Sequence, residues 1–154
     1  MVKASAPGKC ILFGEHAVVY GQPALACSIN QRMTIELEKE ETFDTWRLDG
    51  RTFNPRKHPH IEYIRSQIAT ENGEPLHIRI RGTIPKASGL GSSAALSVAL
   101  CGALQQLRDE PLNQTQASAI SHQAEATAQG GRASPLDTAT SSFGGFVVLS
   151  DTIE

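Results

Sequence analysis

Pro85-Lys86-Ala87-Ser88-Gly89-Leu90-Gly91-Ser92-Ser93-Ala94-Ala95 is a glycine–serine loop that runs straight into a helical pattern. Leu96, Leu100, Ala103, Leu104 and Leu107 follow at i, i+4, i+7, i+8 and i+11, one face of an α-helix. A loop with few side chains therefore feeds a helix N-terminus. Unpaired backbone N–H groups and the positive end of the macrodipole meet there. Gly89 and Gly91 admit positive φ and a close backbone approach, and Ser92 and Ser93 add hydroxyls at the mouth. This is the chemistry of a phosphate cradle.

Other readings of the loop are weaker. Gly-Leu-Gly-Ser-Ser-Ala also fits the dinucleotide pattern G-x-G-x-x-A, which requires a strand ending at the first glycine. The predicted strand, Leu76 to Arg81, stops well short, and Pro85 intervenes. Asp109 lies about the expected twenty residues on, but in a polar turn after the helix. The Walker pattern G-x-x-x-x-G-K-[ST] is absent. A purely structural Gly-Ser turn stays open; the second serine inside a glycine-flanked turn favours phosphate or metal contact.

The chain has 154 residues, long enough for one domain with a real core. Its 40% hydrophobic and 19% charged content argue against disorder, and a net charge of −2 gives no footprint for nucleic acid or a membrane surface. No run of about eighteen apolar residues marks a transmembrane helix. Met1-Val2-Lys3-Ala4-Ser5 lacks the apolar core of a signal peptide. Cys10, Cys27 and Cys101 are odd in number and widely spaced, which predicts reduced thiols buried as small apolar groups rather than disulfides or a zinc site. The expectation is a cytoplasmic protein.

From the N-terminus, Cys10-Ile11-Leu12-Phe13 reads as a buried strand, followed by the polar turn Gly14-Glu15-His16. Lys9, Glu15 and His16 each have an ordinary surface reading alone. Phosphoryl transfer, however, draws cations and acceptors from several segments. Met33, Ile35 and Leu37 alternate with polar residues as a half-buried antiparallel strand. A strand and turn surround Asp49-Gly50. His58 and His60 flank Pro59 at a loop or helix start rather than as metal ligands. Ile61, Ile64 and Ile68 mark a short helix that stops at Asn72-Gly73, and Leu76, Ile78 and Ile80 a further strand. Asn113 is a candidate N-cap, with Gln116 as its capping-box partner, for a helix over Gln114 to Ala128 that ends at Gln129-Gly130-Gly131. Glu125 lies in its last turn, against the dipole, which hints at a nearby cation. Arg132 to Thr138 reads as a loop with one acid, Asp137, and Phe146-Val147-Val148-Leu149 as a buried strand.

Three ordered stretches resemble one family. Ala6-Pro7-Gly8-Lys9-Cys10-Ile11-Leu12-Phe13-Gly14-Glu15-His16-Ala17-Val18-Val19-Tyr20-Gly21 is similar to the first motif of the GHMP small-molecule kinases, in the form carried by mevalonate kinases. Pro85 to Ala95 is similar to the family's phosphate loop. Gln129 to Gly145, with Ser134-Pro135-Leu136-Asp137, resembles the catalytic-aspartate region of the archaeal type. The resemblance implies an α+β fold, a mixed sheet and packed helices in two layers, shared with a ribosomal-protein-like fold. Residues 1–154 would form the N-terminal domain alone, without the C-terminal domain and its third glycine-rich motif.

The implied activity is ATP-dependent phosphorylation of the primary hydroxyl of mevalonate in isoprenoid biosynthesis. By the same resemblance Asp137 is the catalytic base and Lys9 lies beside it. Glu15 and His16 line the mevalonate pocket. Lys86, Ser88, Gly89, Leu90, Gly91, Ser92, Ser93 and Ala94 match the loop over the triphosphate, and Ser93 and Glu125 the holders of Mg2+. The expected partners are mevalonate and ATP, with no nucleic acid or membrane, and a homodimer as candidate assembly. One extra residue stands between Glu125 and Asp137 relative to the family's spacing, which would bear on how Asp137 meets the Mg2+ site. Rival readings are another kinase of the family, acting on phosphomevalonate, homoserine or a sugar, and a non-catalytic nucleotide-binding module.

Overall fold

The computed structural model of the chain describes residues 1–16, 20–68, 74–85, 87–131 and 133–150. Lys86, Arg132 and the Asn72-Gly73 helix stop lie outside them. In chain order the elements are β1 (Val2–Phe13), β2 (Ala24–Lys39), β3 (Arg47–Leu48), β4 (Arg51–Thr52), α1 (Pro59–Gln67), β5 (Leu76–Gly82), α2 (Ser92–Leu107), α3 (Gln114–Ala128), α4 (Pro135–Phe143) and β6 (Phe146–Leu149). This is the α+β architecture expected: one mixed sheet with helices packed on one face.

The long strand β2 organises the sheet. Along one edge it pairs antiparallel with β1, from Val2 opposite Leu37 to Phe13 opposite Leu25. Its other edge is shared end to end: β5 pairs with the second half, Ile35 opposite Ile80, and β6 with the first, Cys27 opposite Phe146. β3 runs parallel to β5 and turns into β4 across Asp49-Gly50, whose φ values of 47° and 78° are those of the tight hairpin turn this dipeptide favours.

Period-two alternation decides which side chains face the helices. Ile35, Leu37 and Ile78 point inward and are fully buried. Their neighbours point to the other face, where Lys3 pairs with Glu36 at 3.2 Å and Arg79 with Glu38 at 3.0 Å. The same alternation corrects two expectations. Cys10 to Phe13 and Phe146 to Leu149 are only half-buried, because Ile11, Val147 and Leu149 turn inward while Phe13 and Phe146 stay 72% and 75% exposed. Cys10 and Cys27 stand opposite each other, half-buried; only Cys101 is the buried apolar thiol expected, and all three are free.

α2 is buried over far more than the predicted stripe, from Ala94 to Gln105 with Leu96 the exception. It packs on β1 and β2 on one side and meets α1, α3 and α4 on the others. Its alanines, Gly102 and Cys101 allow that close approach. α3 has the expected bounds, and Asn113 caps it by accepting from the Gln116 N–H at 2.9 Å. The reciprocal half of the capping box is not made. Gln105, buried in α2, instead takes the Asn113 N–H through Oε1 and donates to the Gln116 side chain. The chain after Arg132 holds a helix where a loop was expected: Ser134 accepts from the Leu136 N–H, and Pro135 opens α4.

Leu37→Ala removes a fully buried side chain between sheet and helices, and should cost about 2–5 kcal/mol. Val148→Ala, on an exposed position, should cost less than about 0.5 kcal/mol. Urea midpoints at unchanged m-value check the contrast.

Candidate active site

Backbone contact joins the first motif to the glycine loop. The Lys9 N–H donates to the Leu90 carbonyl at 2.9 Å. A Cβ on Gly8 would sit 2.7 Å from that carbonyl oxygen, so only glycine lets β1 approach the loop. Gly91 has φ +72°, and a Cβ there would sit 2.8 Å from Lys9 Cγ. The lysine stem thus lies directly under the loop. Lys9 is 5% exposed, and its Nζ reaches Asp137 Oδ1 at 3.1 Å. The contact is an ion pair.

Asp137 is the third residue of α4, where the helix dipole favours an anion. Burial nevertheless pushes its carboxyl above the ordinary aspartate range. Lys9 opposes this, while the charges of Glu125 and Glu15 add to the push. These couplings place Glu15, on the exposed turn after β1, and Glu125 within electrostatic reach of Asp137. His16 is exposed beside Glu15.

Glu125 is not a solvated surface acid: it is 4% exposed. Ser93 Oγ and Ser97 Oγ both donate to its Oε1 at 2.8 Å, and Gln129 Nε2 to its Oε2 at 3.3 Å. Among the described residues no lysine or arginine pairs with it. Ser93 and Glu125, to which the resemblance assigns Mg2+, thus lie within hydrogen-bond distance of each other. Ser97 escaped the sequence reading, although it lies one helical turn beyond Ser93 on the same face. His60 lies in the first turn of α1, at the helix start expected of it. Its Nε2 is buried with no partner among the described residues; burial lowers its pKa while the Glu125 charge raises it.

The loop ends in an open helix N-terminus. Gly91 is the N-cap of α2 in the left-handed region, with no side chain capping the first turn. Gly89, at φ +73°, has open space around it, and Ser88 Oγ donates to the Pro85 carbonyl at 2.8 Å. Leu90 and Ser92 are partly exposed at this mouth, while Ala94 is buried beneath it. Lys86 lies outside the described residues. The stretch carrying the extra residue starts with a tight stop of α3. Gly130, at φ +64°, follows the C-cap, and the Gly131 N–H returns to the Ala126 carbonyl at 2.7 Å. With that turn in place, Asp137 still meets Lys9.

The buried Lys9 thus faces the half-buried Asp137 beside the glycine loop, with the buried Glu125 within electrostatic reach. Residues 60–145 match the model of the GHMP kinases N terminal domain, and the chain belongs to that family. Its relatives include mevalonate kinases. That of Methanothermobacter thermautotrophicus is 44% identical over 150 residues, covering 95% of this chain and 49% of that protein. That of Archaeoglobus fulgidus is 39% identical, covering 92% and 50%. The solved Methanococcus jannaschii mevalonate kinase superposes with a TM-score of 0.83 at 26% identity, over 97% of this chain and 53% of that one. The chain thus spans about half the length of the curated relatives it matches.

Two outcomes test the geometry. Carbon-13 NMR of the Asp137 carboxyl should show titration above the ordinary aspartate range, and Lys9→Met should move it higher still, since removing the cation favours the neutral acid. Gly91→Ala meets both a strained φ and the Lys9 stem, and should cost about 1–3 kcal/mol in a thermal melt.

Proposed function

We propose that this chain is the nucleotide- and substrate-binding half of a mevalonate kinase, which transfers the terminal phosphoryl group of ATP to the primary hydroxyl of mevalonate to give 5-phosphomevalonate. The observation that carries the reading is the Lys9–Asp137 pair held against the glycine loop. An alcohol is a weak nucleophile at neutral pH, so it needs a base and a nearby cation. Asp137 takes the hydroxyl proton, and burial of its carboxyl makes it a stronger proton acceptor than an ordinary aspartate. The Lys9 ammonium stabilises the oxygen as negative charge develops. That oxygen forms a bond to the terminal phosphorus as the bond to ADP breaks. The uncapped N–H groups of α2 and the backbone of Ser88 to Ala94 receive the phosphate oxygens. Glu15 and His16 border the substrate side.

The donor set fits a hard divalent cation. Among the described residues Glu125 is a buried carboxylate held by neutral donors, and Ser93 places a hydroxyl on it. Mg2+ needs few protein oxygens because phosphates and water complete its shell. Ser93 and Glu125 would hold it, and its chemistry there is to neutralise phosphate charge. Among the described residues no cluster of three or more acidic, histidine or cysteine side chains offers a fuller cage, and no helix is long and apolar enough to cross a membrane.

ADP release should depend on mevalonate and on Mg2+. Asp137→Asn should lower kcat by about 10^2–10^4 while nucleotide binding is retained. The rate of the unmodified protein should fall as pH drops through the raised Asp137 pKa. No mevalonate-dependent ADP release, from this chain or from a chain joining it to the C-terminal half of a relative, would overturn the reading.

A further inference from the structure

Along the free edge of β1 runs a groove that the proposed chemistry does not use. At one end a cavity of about 490 Å3 opens between β1 and α2, floored by Ala4, Ala6, Val98, Ala99 and Gly102. A Cβ on Gly102 would meet nothing closer than Leu112 Cδ1 at 3.5 Å, so the missing side chain leaves room rather than relieving a clash. Arg32, Gln114, Ser141 and Ser142 line this cavity and also a second hollow of about 490 Å3, bordered by Ser28, Ile29 and Asn30.

The wall shared by the two hollows is chemically unfinished. Gln114 and Ser142 satisfy each other: the Ser142 Oγ donates to the Gln114 carbonyl at 2.7 Å, and Gln114 Nε2 to the Ser142 carbonyl at 3.0 Å. Ser141, only 2% exposed, has a hydroxyl with no partner among the described residues. Such a group favours any ligand that completes its bonding. Arg32 spends Nε on Ser5 Oγ and one terminal nitrogen on the Ser5 carbonyl, at 3.0 and 2.9 Å. Among the described residues its other terminal nitrogen makes no bond to a side chain or carbonyl and can meet a ligand.

Charge and shape select the occupant. Among the described residues Arg32 is the only charged one lining the second hollow. Glu110, the acid of the groove, stands at the apolar end and is paired with Arg108 at 2.8 Å. Arg32 also covers the Ser5 carbonyl and Pro7 has no N–H, which disfavours the addition of another strand to this edge. We propose that the groove binds a small amphipathic anion, with a carboxylate head at Arg32 and Ser141 and a short hydrocarbon body on the Ala4–Val98–Gly102 floor. Ser141 lies one turn beyond Asp137 on α4, so the bound head bears on the helix that carries the carboxylate.

The test is an amide NMR titration of the chain with octanoate below its micelle concentration, against 1-octanol as the uncharged probe. Saturable shifts should cluster at Val98, Gly102 and Ser141. Octanoate should bind about tenfold tighter than octanol, the scale of one charge-assisted hydrogen bond. Arg32→Gln should erase that preference, and Gly102→Leu should fill the floor and remove both ligands. If Gly102→Leu does not fold, the octanoate-to-octanol ratio in Arg32→Gln decides alone. Shifts centred on Phe13 and Phe146, equal binding of the two probes, an unchanged ratio in Arg32→Gln, or no saturation would overturn the proposal. The measurement uses neither nucleotide nor mevalonate, so its outcome is independent of the kinase reading.

Discussion

A lysine with its charge inside a protein needs a partner, and the pairing of Lys9 with Asp137 is the constraint around which this structure is arranged. Breaking such a pair leaves an uncompensated buried charge, which is far more costly than losing a surface contact. The pair therefore requires β1 and α4 to be held in one relative position. β2 does this, since both β1 and α4 pack on it. The glycines at positions 8 and 91 are the local counterpart: each removes a side chain from the space that the lysine strand and the loop must share.

Around that pair the carboxylates are not at ease. Glu125 and Glu15 disfavour the ionised form of Asp137, and Glu125 sits at the wrong end of its helix for an anion. Among the described residues, neutral hydroxyl and amide donors hold Glu125 in place. Acids that raise one another's pKa around a buried lysine are a cost to stability that the sheet and α2 bear.

Much of this was legible in the sequence because it rested on local rules. The period-two run at Met33 to Leu37, the Asp49-Gly50 turn and the bounds of α3 follow from alternation, turn chemistry and capping. The glycine–serine loop announced an open helix N-terminus for the same reason. What was not legible depended on distant partners. Gln105 displaced Gln116 from its capping role because α2 and α3 pack side by side. Ser97 joined Glu125 only because α3 lies against α2. The burial of Cys10 to Phe13 and of Phe146 to Leu149 was overestimated, since an apolar run does not say whether both faces of its strand are covered. α4 is a different case: Ser134, Pro135 and Asp137 spell N-cap, first helical position and first-turn acid. That signal was local and was read as a loop.

The shared edge of β2 has a consequence for how the molecule comes into being. The Ser28–Gly145 contact, which starts the β6 pairing, closes a sequence separation of 117 residues. Such closures are slow because the entropy of a long loop is spent before the contact rewards it. β1 and β2 can meet as soon as both are made, but the half of β2 nearest Lys9 waits for β6. On the ribosome, therefore, the sheet's Ile35–Ile80 end can form before the Lys9–Asp137 end, and until α4 and β6 are made a lysine destined for burial stays in water.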